Sequence, residues 1–120
     1  MKQTLRDYLK PLPKKEKQEI ARHVLLGLPF YGYDNRSALV GKQYLDVLRE
    51  NTVSIRFNAK WREHETVYRD ASNRVHSIFY PTLQFLQDRI DLAEKVKCGI
   101  GIWELGQGLD YFMDLLSFVS

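Results

Sequence analysis

Two apolar segments constrain this chain more than anything else in it: "LLGLPFYGY" at 25–33 and "CGIGIWE" at 98–104. Along an extended strand, side chains alternate between the two faces. In the first segment one face takes Gly27, Pro29, Tyr31 and Tyr33, and the other takes Leu26, Leu28 and Phe30. In the second, Gly99, Gly101 and Trp103 share a face, with Cys98, Ile100 and Ile102 behind them. Both segments therefore read small, small, aromatic on one side and bulky on the other. Strands that bury both faces belong to parallel sheets covered by helices. The bulky face suits packing under helices. The small face suits a crowded interior that opens, at the carboxyl ends of the strands, onto an aromatic surface. Ligand sites of parallel sheets and barrels lie at those ends. Two readings of Trp103 and Tyr31 stand at this point: rings on which a flat ligand stacks, or rings that fill a core, since pockets share the apolar makeup of cores.

The rest of the chain alternates helical and extended patterns. "TLRDYL" places Leu5, Tyr8 and Leu9 on one helical face, and Pro11 and Pro13 end it. "KKEKQEIARH" reads as a second short helix, and 24–34 as one buried strand. "GKQYLDVLREN" reads as a helix with Tyr44, Leu45 and Leu48 inward. "TVSIRFN" alternates as a strand, and "ETVYRDASNRVHSIFY" as a hairpin that turns at 70–73. The strongest helical period spans 82–97, with Leu83, Leu86, Ile90 and Ala93 in phase and Thr82 at its start. A last helix is expected over 108–119, with Leu109, Phe112, Leu116 and Val119 on one stripe. Alternating strands and helices predict an α/β fold with parallel pairing. No linker, repeat or low-complexity segment interrupts the chain, so it reads as one domain.

Composition excludes several classes. The net charge of +3 and the scattered Lys and Arg residues do not form a nucleic-acid footprint. Lys14-Lys15-Glu16-Lys17 reads as a solvated face. Cys98 is the only cysteine, which excludes an internal disulfide and a Cys-based zinc site. His23, His64 and His76 lack metal-ligand spacing, so neither metal nor cofactor is expected. No apolar run approaches the ~20 residues of a membrane span, and the first residues carry no apolar core of a secretory signal. Asn35-Arg36-Ser37 is an N-glycosylation acceptor sequence, relevant only in the secretory pathway.

Four stretches together resemble the carboxyl-terminal end of a glycoside hydrolase family 18 barrel: "LLGLPFYGYD", Glu63-His64 with Tyr68, "FYPTL" at 79–83, and "IWELGQGLDYF" at 102–112. Their order and spacing agree with that family from about Tyr8 onward. The resemblance implies the last third of a (β/α)8 TIM barrel. "VLLGLPFY" would be strand seven and "GIGIWEL" strand eight, with a small α+β insertion over 41–80 between them. It also implies a glycan, a chito-oligosaccharide or related N-acetylated sugar, as the partner. Trp103 would form the floor under the sugar, with Tyr31 and Tyr33 bordering the groove. Phe57-Asn58 stands where relatives often carry Trp-Asp. Phe57 keeps a ring, and Asn58 loses a charge but keeps hydrogen-bonding capacity. A secreted or endosomal/lysosomal location and a protein partner are further implications.

The resemblance implies no catalytic residue here. The family's acid ends a D-x-x-D-x-D-x-E motif, and no Asp-x-Asp occurs anywhere in the chain. Asp88 with Asp91, and Asp110 with Asp114, fall at helical spacing as solvated pairs. Glu104 follows Trp103, so alternation turns it away from Trp103's face toward a rim or structural role. The expectation is a glycan-binding, chitinase-like chain without its own acid. The alternatives are part of an active hydrolase whose acid lies upstream, or an interaction fragment with no ligand.

Overall fold

The computed structural model describes residues 10–116. The helix expected at "TLRDYL" and the end of the last one lie outside the described residues. Pro13 precedes helix α1, Lys14–Ala21, whose single buried residue is Ala21. Strand β1, Leu25–Pro29, follows. It pairs in parallel with β7, Gly99–Trp103, with Gly27 opposite Gly101 and Pro29 opposite Trp103. The ladder continues past both ends, from Gly99 N to Val24 O at 2.9 Å and from Phe30 N to Trp103 O at 2.9 Å. The side-by-side parallel pair expected from the two small-small-aromatic segments is thus present.

The run 24–34 is not one strand. It breaks after Pro29, and β2, Gly32–Asp34, joins a separate five-stranded sheet. That sheet contains β3 (Ser37–Leu39), β4 (Ser54–Asn58), β5 (Glu63–Arg69) and β6 (Val75–Phe79). Its order is β3-β2-β6-β5-β4, and every pairing is antiparallel. Proline removes a ladder donor, and the chain uses that point to change sheets. The five-stranded sheet therefore begins at Gly32, ahead of the insertion expected over 41–80; parallel pairing is confined to β1 and β7 among the described residues, and the expected hairpin is antiparallel.

Polar side chains fold the hairpins. Asn35, with φ 52°, accepts from Ser77 N at 3.0 Å through Oδ1 and closes the β2–β3 turn against β6. Asp70 Oδ1 accepts from Ser72 N at 2.8 Å and Arg74 N at 3.0 Å, which forms the β5–β6 turn where sequence placed it. Helix α2, Gly41–Glu50, covers one sheet face, where Tyr44 Oη meets buried Thr66 Oγ1 at 3.1 Å. Leu45 points outward, and Val47 packs with Leu48 in its place.

Helix α3, Leu83–Val96, connects the inserted sheet back to β7. Thr82 Oγ1 caps it by accepting from Phe85 N at 3.2 Å, and Lys97, with φ 64°, ends it in the left-handed conformation. Its buried face is Phe85, Leu86, Arg89, Ile90 and Ala93, while Leu83 is exposed. The segment after β7 is a 3₁₀ helix, Asp110–Leu116, rather than an α-helix. Three residues per turn put Leu109, Phe112 and Leu115 in line, and these reach the core together with Leu116, which was expected there. One core joins all layers: Leu28 and Phe30 from β1, Leu86 and Ile90 from α3, and Ile78, Tyr44 and Tyr80 from the inserted unit. Gly108 lies where any Cβ would come within 2.6 Å of the Phe30 ring, which lets the last segment cross beneath β1.

Candidate glycan site

Two of the strand glycines leave room for large side chains that fold over them. Trp103 folds back over Gly27, so a Cβ there would collide with indole Nε1. Leu25 covers Gly99, where a Cβ would meet Leu25 Cδ2 at 2.6 Å. Trp103 nonetheless remains 66% exposed and Leu25 69% exposed. The small face is therefore open, while its opposite, with Leu26, Leu28 and Phe30, is buried. Trp103 does not fill the core in this structure. Its indole lies over Gly27 at the carboxyl ends of two adjacent parallel strands.

Tyr31 sits in the link from β1 to β2, half-buried, and packs edge-on against exposed Tyr33 with ring centroids 5.7 Å apart. A hydrogen bond with Tyr33 raises the Tyr31 phenol above its ordinary value, with Tyr33's charge, desolvation and the Glu104 carboxylate adding to it. These two rings border a cavity of about 210 Å³ that Pro29, Phe79, Tyr80 and Glu63 also line. Phe79 lies directly across from Tyr33 on β6 and is 38% exposed, so the aromatic surface runs from the strand end onto the inserted sheet. Sequence reasoning passed over Phe79. Its signal was the alternation Phe79-Ser77-Val75, which sets it on the face opposite buried Ile78.

Phe57 and Asn58 lie elsewhere. They sit on β4, at the far edge of the five-stranded sheet from β3. Register puts Tyr33, Phe79, Glu65 and Arg56 on one face and Phe57 with His64 on the other. Two strands separate β4 from β2, a distance of roughly 14 Å at the usual strand spacing. Phe57 packs against His64, with centroids 5.0 Å apart, under the Arg62 guanidinium. Asn58 Oδ1 accepts from Lys60 N and Trp61 N, both at 3.1 Å, and so builds the β4–β5 turn. The structure brings Trp103, Tyr31 and Tyr33 toward one end of the fold and keeps Phe57 and Asn58 out of that group.

Glu63 and His64 do not form a dyad. Glu63 lines the cavity, whereas His64 Nδ1 lies 3.1 Å from Thr82 Oγ1 at the start of α3. Glu104 has φ 61°, so the strand ends before it. Its Oε2 accepts from Gln107 Nε2 at 3.0 Å, a structural role at the rim. Among the described residues, no group of three or more His, Cys, Asp or Glu converges as a metal site, and no helix is long and apolar enough to cross a membrane.

Comparison with solved structures places the fold. A chitinase from Chromobacterium violaceum superposes with a TM-score of 0.73 at 22% identity, over 80% of this chain and 32% of its own length. The Bacillus cereus spore cortex-lytic enzyme SleL gives a TM-score of 0.71 at 18% identity, over 80% of this chain and 25% of its own. A class V chitinase from Pseudomonas fluorescens Pf-5 gives 0.69 at 18% identity, over 80% and 33%. No family model matches the chain. Over the covered residues the chain shares the chitinase-like fold of these solved structures. It spans about a third or less of the length of these solved structures.

Proposed function

We propose that this chain is the carboxyl-terminal part of a chitinase-like (β/α)8 barrel, with β1 and β7 as its last two strands, and that it binds a chito-oligosaccharide or related N-acetylated glycan. In this reading Trp103 is the platform under one sugar ring, and Tyr31 and Tyr33 border it. The chain contributes binding surface and no general acid. In the same reading the run 102–112 marks a resemblance to chitinase domain-containing protein, and the parent protein works as a glycan-binding protein in a secreted or endosomal/lysosomal location.

One observation carries this reading: an exposed indole, folded back over a glycine, at the carboxyl ends of adjacent parallel strands. A pyranose offers axial C–H groups to such a face. Burying that surface is worth on the order of 1.5–3 kcal/mol. Trp103→Ala in the completed barrel should therefore weaken chito-oligosaccharide binding roughly tenfold to a hundredfold. Trp103→Phe should lose less, and added salt should change little, because stacking does not depend on charge. Calorimetric titration with circular dichroism checks it. Equal affinities in two folded proteins would place the glycan elsewhere. The solved neighbours, a chitinase and a spore cortex-lytic enzyme among them, favour a second reading, a part of an active hydrolase. The residues on strand four of the parent barrel distinguish the two.

A further inference from the structure

A second indole is presented to solvent at the β4–β5 turn. Trp61 is 60% exposed, although its backbone is tightly held. Asn58 Oδ1 accepts from its amide at 3.1 Å, and the next residue, Arg62, has φ 53°, a conformation that disfavours side chains other than glycine's. Arg89, buried in α3, reaches across to the turn. Its guanidinium donates to Trp61 O and Arg62 O, both at 3.4 Å, and to Phe85 O at 3.0 Å. A buried guanidinium and a left-handed arginine are costly ways to fix a turn whose ring covers little of the protein.

Beside the ring lies a cavity of about 290 Å³ between the turn and α3. It shares no lining residue with the cavity at Tyr31 and Tyr33. Its volume is near the lower end of the ~300–1,000 Å³ range of small-molecule pockets, which suits a ligand of one or two rings. Its charges are unevenly matched. Arg62 is held by Asp88 through Nε to Oδ2 at 2.7 Å and Nη2 to Oδ1 at 3.0 Å. Asp91 Oδ1 accepts from Gln87 Nε2 at 2.7 Å. Lys60 and Lys95 also line the cavity and form no ion pair among the described residues. Lys60 Nζ lies 5.2 Å from the Trp61 ring centroid.

We propose that this cavity is a second binding site, separate from the Trp103 surface, for an acidic sugar. The ring would pack on Trp61, its sulfate or carboxylate would face Lys60 and Lys95, and its hydroxyls would donate to the carboxylates of Asp88 and Asp91. An exposed indole supplies the apolar platform, the two lysines supply the charge preference, and the acidic pair supplies acceptors that a simple anion site would lack. This assignment does not depend on the Trp103 reading, because the two sites hold different residues and have opposite salt behaviour.

The test uses the full chain, with the indole N–H resonances of its two tryptophans followed by NMR and assigned with Trp61→Phe. N-acetylglucosamine 6-sulfate and glucuronate are the probes, and N-acetylglucosamine and inorganic sulfate are the controls. The acidic sugars should shift the Trp61 signal at least about tenfold more tightly than either control. Lys60→Gln with Lys95→Gln should abolish that preference, and salt raised well above the screening range should weaken it several-fold. The lysines and Trp61 are exposed, so these variants keep the fold, as circular dichroism would verify. No Trp61 shift with either acidic sugar, equal affinity for the neutral sugar, or equal affinity for sulfate alone would each overturn the proposal.

Discussion

At the scale of single residues, glycine positions separate by what lies above them. A methyl at Gly27 meets the five-membered ring of a solvent-exposed indole, whereas one at Gly32 meets backbone, Phe79 O and Tyr80 Cα, the latter at 2.8 Å. Gly27→Ala should leave the melting temperature nearly unchanged but displace Trp103, seen as a shift in indole fluorescence and a loss of glycan affinity. Gly32→Ala should cost roughly 1–3 kcal/mol, as overpacking does, read as a lower midpoint in urea. If Gly27→Ala instead unfolds the protein and Gly32→Ala is silent, the packing described for these strands is wrong. Asn58 gives a second contrast. Its side chain caps a turn, so Asn58→Ala should cost about 1 kcal/mol of stability and leave chito-oligosaccharide affinity intact in the same titration. The glycine-aromatic pairing was legible in sequence because alternation alone puts Gly27 and Trp103 on matching faces. The role of Asn58 was not, because an Asx turn and a ligand contact call for the same amide.

Among the elements, the inserted sheet is tied together by a polar cluster that sequence did not reveal. His76 on β6 lies between two carboxylates, with Nδ1 2.7 Å from Asp34 Oδ1 on β2 and Nε2 3.1 Å from Asp70 Oδ2 in the β5–β6 turn. Tyr68 stacks on the imidazole at 4.6 Å and donates to Asp34 Oδ2 at 2.9 Å. The three acidic and basic members are 42 and 6 residues apart in sequence, so no local motif announces them. Hydrogen bonds to Asp34 and then Asp70 raise the His76 pKa above its ordinary 6.5. Backbone donation from Arg74, then the His76 hydrogen bond, lowers Asp70 from 3.8 to about 2. The raised histidine stabilises the fold fully below 6.5, and that contribution fades as pH rises through its folded value. The lowered aspartate stabilises above 3.8, and that contribution fades as pH falls toward about 2. Both contributions are whole only between these limits. His76→Gln should therefore flatten the alkaline decline in thermal stability between mildly acidic and basic pH. An unchanged slope, or a His76 imidazole that titrates by NMR at or below its ordinary value, would remove the cluster from the account. The β2–β3 hairpin was missed for a related reason: three-residue strands are too short to show alternation. The long α3 period, by contrast, was legible because it repeats over four turns.

For the whole molecule, burial is lopsided. The helix-side face of β1 and β7 forms a shared core with α3 and the inserted sheet, so the described chain has enough of its own interior to fold. The opposite face exposes Leu25 and Trp103, which lie over Gly99 and Gly27, and the outer edges of both strands have no ladder partner among the described residues. An exposed apolar sheet face with free edges is a site for association. At 120 residues alone, the chain should fold cooperatively yet self-associate, with a sedimentation coefficient that rises with concentration. Leu25→Lys puts a charge on the open face at a residue that is 69% exposed. It should shift the chain toward monomer while leaving the melting temperature within a degree or so, since surface substitutions stay within about ±0.5 kcal/mol. Salt should not reverse the wild-type association, because the contact is apolar. Monomeric wild-type chain at every accessible concentration would mean that the Leu25 and Trp103 side chains already shield the strands well enough. Association that survives Leu25→Lys unchanged would move the contact to another surface, and the open strands would then no longer explain it.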